Sequence, residues 1–427
     1  MKRFVIAAAA VLSVALHQVA ANPHPYTLPA QFPAGEPVET VVSTELQLES
    51  LESVTSLMSV AQQIERCNRY TFAAKRDGVY LNGAPFYIKG ANFFGMETDI
   101  LVPHGLWGGN DSTTIQKIAT LLKANNFNTV RLPLEVNAVL NNPEINRYVL
   151  INEVGLQAKF DGKTIYYFDV LDHVINEFAK NKIFVLLDAH VLRSKEGITP
   201  LWYTSDADKT WFEDAWKILA ARYKNTWNII GADLKNEPHD GASWGSNDNN
   251  TDWRLASLQI GTSILKINPR WLIFVEGMQF SSRDDPTYPC FWGENLMDVQ
   301  RAQLQLPVSE RLVYSPHVYG PNVYGQPYFK DPTFPANMPA IWDNHFGFVK
   351  KYGAMVVGEW GGKFRDEDDI TWQRAFAKYL VDKKLGWMYW CINPNSGDTE
   401  GLLENDWNTP RYDKLELLSV FKGTRVP

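Results

Sequence analysis

Several short apolar runs in this 427-residue chain end on a side chain able to do chemistry. Arg131 lies in the run 129–132, Asp188 and His190 follow 183–187, and Asn236-Glu237-Pro238-His239 follows 229–234. Glu276 follows 271–275, His317 and Tyr319 follow 312–314, Glu359 follows 354–357, and Trp390 closes 386–390. A lone carboxylate at such a place is ordinarily a solvated loop residue or the partner of a helix N-terminus. Two carboxylates aimed into one cleft are different: cleaving a glycosidic bond needs one that is protonated and one that is ionised. Glu237 and Glu359 are the pair to consider. Asp188 beside His190 also reads as a metal pair, but metallohydrolases draw on several convergent ligands, so neither a metal nor an organic cofactor is expected.

Bringing Glu237 opposite Glu359 requires a scaffold that delivers strand ends to a common face. Eight β-branched or apolar runs qualify as strands, at 86–90, 129–132, 183–187, 229–234, 271–275, 312–314, 354–357 and 386–390. Segments of helical period separate them at 113–124, 168–179, 208–223, 252–267, 338–352 and 372–384, with a weaker one near 296–304. This alternation predicts an α/β protein, a single (β/α)8 TIM barrel with enlarged βα loops. Such barrels take ~250 residues and run past 400 with insertions, and their active sites sit where strands end. A doubly wound open sheet has the same alternation but calls for a Gly-rich turn after the first strand, which is missing here.

Composition narrows the partners. Lys and Arg total 41 against 48 Asp and Glu, a formal charge of −7, which removes the footing for nucleic-acid or anionic-membrane binding. Aromatics reach 13%, with 15 Trp and 18 Tyr, residues whose flat faces stack well on ligands. Trp202, Trp244, Trp292 and Trp407 are candidates to stack on successive sugars, or else to pack the ends of the barrel. Lys2 and Arg3, the apolar run 4–16 and the small residues Val19-Ala20-Ala21 read as a signal peptide over 1–21, too short to span a bilayer. The chain is therefore expected to be secreted, to act as a monomer and to keep no membrane contact after cleavage. Residues 22–70 form a Pro- and Glu-rich leader, in which Leu51, Val54, Leu57, Met58 and Ala61 recur at helical spacing. The catalytic domain is expected over 71–427. Three cysteines permit one intramolecular disulfide, with Cys67–Cys290 the pairing to test; Asn110-Asp111-Ser112 and Asn249-Asn250-Thr251 fit glycosylation sequons.

Longer motifs identify a resemblance. Leu234-Lys235-Asn236-Glu237-Pro238-His239 resembles the acid/base signature of glycoside hydrolase family five, the cellulase-type barrels, and Val357-Gly358-Glu359-Trp360 resembles its nucleophile strand. Gly90-Ala91-Asn92-Phe93-Phe94-Gly95, His104-Gly105-Leu106-Trp107, Leu201-Trp202-Tyr203-Thr204, Asp252-Trp253-Arg254, Phe274-Val275-Glu276-Gly277 and Asn393-Pro394-Asn395-Ser396-Gly397-Asp398-Thr399 are similar to segments of secreted bacterial endo-β-1,4-glucanases, over nearly all of 75–420. The resemblance implies Glu237 as general acid/base and Glu359 as nucleophile of a retaining endo-β-1,4-glucanase acting on β-glucan. It implies Asn236 at the sugar 2-hydroxyl, Arg131 and Tyr319 as partners of Glu359, His190 and His317 lining the cleft, and Trp390 as the floor beneath the reacting sugar. The same frame serves β-mannan, xyloglucan or β-1,3-glucan, and a barrel that binds carbohydrate without catalysis is the alternative from another class.

Overall fold

The computed structural model describes residues 70–281 and 287–427. The expected signal peptide, nearly all of the leader with its helical stripe, and the Cys67–Cys290 pairing lie outside them. Ahead of the barrel stands a small antiparallel sheet, β1 (Phe72–Lys75), β2 (Gly78–Leu81) and β3 (Ala84–Pro85), which the sequence reading did not anticipate. Its signal was present: Asn82-Gly83 joins β2 to β3 with φ of 51° and 80°, the doubly positive pair that a type I′ hairpin demands.

The eight runs become β4 (Lys89–Asn92), β5 (Thr129–Glu135), β6 (Phe184–Val191), β7 (Ile229–Asp233), β8 (Leu272–Val275), β9 (Leu312–Tyr314), β10 (Ala354–Trp360) and β11 (Gly386–Tyr389). They pair in parallel in chain order, and β11 returns to β4 to close the barrel. Around them lie α1 (Ile115–Ala124), α2 (Val136–Asn141), α3 (Val154–Lys159), α4 (Tyr167–Lys180), α5 (Asp206–Arg222), α6 (Trp253–Ile267), α7 (Met338–His345), α8 (Glu367–Lys383) and α9 (Tyr412–Leu418). Thr114, Ser205, Asp252 and Asp366 cap α1, α5, α6 and α8 by accepting backbone N–H groups of the first turn. The helix expected over 338–352 stops at His345 and continues only as a 3-10 turn, Gly347–Lys351; the weak segment near 296–304 is likewise a 3-10 turn, Met297–Gln300.

Strand alternation divides the core in two. Phe184, Leu186, Ile230, Leu272, Phe274, Val313, Ala354, Val356 and Met388 fill the barrel, where Tyr70 together with Phe72 and Leu81 of the amino-terminal sheet plugs its lower end. Val185, Leu187, Ile229, Ile273, Val275, Met355 and Val357 belong to the larger cluster packed with the helices. Along β6 the inward series runs Phe184, Leu186, Asp188, His190, so one face of one strand changes from apolar filling to ionisable groups as it rises. The floor of the site is therefore continuous with the core.

Candidate active site

Arg131 is the hub. It rises from β5 with no exposed surface, and an unpaired guanidinium so deeply buried would be prohibitively costly. Every arm is engaged: Nε donates to Asp233 Oδ2 at 2.9 Å, Nη1 to Glu359 Oε1 at 2.5 Å and Asn92 Oδ1 at 3.1 Å, and Nη2 to Asn236 Oδ1 at 2.9 Å and Glu276 Oε1 at 3.2 Å. Nη2 also lies 3.1 Å from Asp188 Oδ2, which in turn accepts from His190 Nδ1 at 2.7 Å. The second cation site is His317. Its Nδ1 stands 3.2 Å from Glu237 Oε1 and 3.5 Å from Glu359 Oε2, so one imidazole nitrogen bridges the two candidate carboxyls. Its Nε2 is 3.2 Å from Glu276 Oε1, off the line of a good hydrogen bond, so this contact is electrostatic.

A bulge aims Glu359. Regular alternation from the inward Val356 would send residue 359 toward the helices, but the β10–β11 register slips between Val357 and Trp360. The extra residue turns Trp360 outward into the helix-side cluster and leaves Glu359 at the mouth, where its Oε2 accepts the Tyr319 O–H at 2.5 Å. Gly358 makes room for this turn, since a β-carbon there would stand 2.5 Å from Ser315 Oγ and 2.7 Å from His317 Nε2. Glu237 reaches the same place from the loop after β7. It has a left-handed backbone, φ 50°, with its carbonyl 2.7 Å from His239 Nδ1 and its N–H donating to Glu276 Oε2 at 2.7 Å. His239 stacks in turn on Trp292, ring centroids 3.8 Å apart.

The same surroundings push the two carboxyls in opposite directions. Burial raises Glu237, and the negative charge of Glu359 adds to that against the opposing pull of His317. Burial would raise Glu359 too, but His317, Arg131 and the Tyr319 hydrogen bond overcome it and hold the carboxyl below its ordinary range. His317 is lifted well above the usual imidazole value, the carboxylates Glu276 and Glu359 outweighing its burial. Beneath them burial raises Asp188 to about 7 and Asp233 to about 6 despite Arg131. Burial also pushes His190 far down, which keeps it neutral beside Trp390.

Exposure sorts the expected contacts. Glu237 has a side chain 12% exposed, Glu359 3%, and His190 and Tyr319 7% as residues, all at the cleft surface. Trp390 is half-buried there, nearly parallel to His190 and Phe94 at 5.6 and 5.7 Å between centroids. Arg131, Asn236 and His317 have no exposed surface and lie directly against the two candidate carboxyls or against one another. Trp202 and Trp244 are nearly covered by their neighbours. Trp202 packs on Trp253 and Tyr203, while Trp244 donates its Nε1–H to Ala302 O at 2.7 Å and lies near Tyr314, leaving 5% and 3% exposed. Trp407 packs on Trp107, and Trp292 remains half-buried at the mouth. Asn92 and Asp233 join the Arg131 network without being among the sequence candidates; Asp233, an acid inside the apolar run 229–234, carries the signal that marks it.

Two constellations at this site have the spacing of cation ligands, Asp233 with Glu276 and His317, and Glu237 with His317 and Glu359. In the first, the Arg131 guanidinium already lies against both carboxylates, and in the second it lies against Glu359. A third, Cys290 with Glu294 and His345, lies apart, and His345 there is hydrogen-bonded through both ring nitrogens.

Known proteins share this arrangement's frame. A family model described as cellulase (glycosyl hydrolase family 5) matches residues 79–396. The chain is 40% identical over 359 residues to the major extracellular endoglucanase of Xanthomonas campestris pv. campestris, covering 83% of this chain and 72% of that one. It is 39% identical over 342 residues to an endoglucanase of Paenibacillus polymyxa, covering 79% and 83%. Among solved structures, the catalytic domain of the Xanthomonas enzyme superposes with a TM-score of 0.74 at 38% identity over 83% of this chain and all of that one. A cellotetraose complex of the endocellulase from Pyrococcus horikoshii gives a TM-score of 0.74 at 37% identity, covering 82% of this chain and 98% of that one.

Proposed function

The chain belongs to the cellulase family, glycosyl hydrolase family 5, and is a glycoside hydrolase; on that premise we propose that it is a secreted, retaining endo-β-1,4-glucanase. The observation that carries the reading is the pair of carboxyls over one imidazole: an oxygen of Glu237 and an oxygen of Glu359 lie within 4.8 Å of each other, with His317 Nδ1 between them. That spacing suits the ~5–5.5 Å separation of double displacement better than the ~6.5–9.5 Å gap that admits a water for inversion.

In the first step Glu359 Oε attacks the anomeric carbon while Glu237 gives its proton to the glycosidic oxygen. The carbon–oxygen bond breaks and a glycosyl ester on Glu359 remains. Tyr319 and Arg131 favour the anionic form of Glu359 until then, and burial raises the hold of Glu237 on its proton. In the second step Glu237, now a carboxylate, takes a proton from a water whose oxygen attacks the same carbon. Glu359 leaves as the carboxylate and the cycle closes. Trp390 offers the face on which the reacting sugar rests, its tilt set by Phe94 and His190. The names of the relatives, endoglucanase and endocellulase, support β-1,4-glucan and attack within the chain. A signal peptide over 1–21 and a catalytic unit over 71–427 complete the reading, and the extracellular relative supports export.

The test is product analysis on carboxymethyl cellulose and galactomannan with wild type and Glu359→Gln. Rapid loss of glucan viscosity that disappears in the variant is the expected result. Activity on mannan alone would move the substrate, and full activity in Glu359→Gln would remove the nucleophile.

A further inference from the structure

Glu276 has no place in the two-step reaction, yet it is among the most completely enclosed acids of the site, with no exposed surface. Its two oxygens serve different elements. Oε2 accepts the backbone N–H of Glu237 at 2.7 Å, while Oε1 meets Arg131 Nη2 and His317 Nε2, both at 3.2 Å. Arg131 continues to Glu359, and His317 to both candidate carboxyls. One acid thus touches the Glu237 backbone and both cationic supports of the pair, Arg131 and His317, while itself having no exposed surface.

The contact with the Glu237 N–H matters because of the backbone it holds. Glu237 is a non-glycine residue at φ 50°, a backbone that L side chains rarely adopt and that persists only where its surroundings impose it. At Glu237 those surroundings are two groups, Glu276 Oε2 on the N–H and His239 Nδ1 on the carbonyl. The carboxyl of Glu276 is itself locked. Trp253 Nε1 donates to its backbone carbonyl at 3.2 Å, and Gly293 packs so close that a β-carbon there would stand 2.6 Å from Oε2 and 3.4 Å from Glu237 Cγ. Without a hydrogen-bonded oxygen at this place the Glu237 N–H would lose its acceptor and the backbone would relax toward an ordinary conformation, swinging the acid away from His317.

We propose that Glu276 is a positioning residue for the acid/base step, fixing Glu237 over the cleft through its backbone N–H and tying it to the Arg131–His317 frame of Glu359. This rests on Glu237 being the acid/base. It predicts a defect specific to proton transfer. A β-cellobioside with a 2,4-dinitrophenyl leaving group needs no protonation to depart, whereas a glucan does.

The experiment compares wild type, Glu276→Ala, Glu276→Gln and Glu237→Gln on both substrates, with and without sodium azide. Glu276→Ala should lose at least about 100-fold in kcat/KM on soluble glucan and under about 10-fold in the dinitrophenolate burst, with azide accelerating its turnover by replacing the water that Glu237 activates. Glu276→Gln keeps an oxygen for the Glu237 N–H and should recover to within about 10-fold of wild type on glucan. Should Glu276→Ala not fold, Glu276→Asn withdraws the oxygen while keeping a polar filler, and the same split is expected of it. Equal losses on both substrates without azide rescue, or unchanged glucan activity in the alanine or asparagine variant, would overturn the proposal. Glu237→Gln separates the two layers of inference: if it shows the split and Glu276→Ala does not, only the role of Glu276 fails; if it shows none, the acid/base assignment fails first.

Discussion

At the scale of single residues, Glu359 is governed by what donates to it. Tyr319 O–H and Arg131 Nη1 each stabilise the ionised form, so activity should be retained as pH falls below the ordinary carboxylate range. It is lost only when Glu359 takes up its proton. Glu237 has the opposite sign: its raised pKa keeps the proton to higher pH, and activity falls as that proton leaves. The pH profile of kcat/KM should therefore be a bell whose limbs are further apart than two ordinary carboxyls allow. Tyr319→Phe removes a donor to the charged form, which raises the Glu359 pKa and moves the acid limb to higher pH while leaving the basic limb in place; an unmoved acid limb would detach Tyr319 from Glu359. Both glutamates were legible in the sequence as strand-end carboxyls, whereas depth was not. Arg131, Asn236 and His317 have polar residue types that sequence alone would leave at a surface, and only three-dimensional packing shows that they are buried.

At the scale of elements, apolar runs mark the barrel strands in the sequence, 312–314 to the residue, whereas the bulge in β10 that turns Glu359 inward leaves no such mark. A register slip changes which face a side chain takes without changing composition, so it leaves no periodic trace. Asp252, which begins α6, accepts the N–H groups of Arg254 and Leu255 and also those of Gly245 and Asn247, binding the long loop after β7 to the helix. An ordinary N-cap is worth ~1 kcal/mol, and each buried donor left without a partner adds about 1–3 kcal/mol. Asp252→Ala should accordingly cost at least about 2 kcal/mol in urea unfolding, well beyond a simple cap. A loss under about 0.5 kcal/mol would show that the loop does not depend on it.

At the scale of the whole molecule, one barrel carries two interiors. The lower is apolar and sealed by the amino-terminal sheet, and the upper is ionic and open to the cleft. Phe184 belongs to the first, with Tyr70, Phe72, Phe86 and Trp227 all set against its ring. It lies six residues before His190 on the same strand, about 20 Å along it. Phe184→Ala should therefore cost about 3–5 kcal/mol of stability and leave kcat of the folded fraction within twofold; a large fall in kcat would mean that the two interiors are coupled. The fold class and the paired carboxyls could be read from strand order and residue type, but the amino-terminal plug was hidden in short strands that only an Asn-Gly turn announces. The central claim, that Glu359 forms a covalent glycosyl ester while Glu237 manages the proton, is tested most directly by incubating the enzyme with 2,4-dinitrophenyl 2-deoxy-2-fluoro-β-cellobioside and mapping the modified peptide by mass spectrometry. A single fluorocellobiosyl group on Glu359 is the predicted result, and a label on another residue, or none with the enzyme still turning over glucan, would contradict it.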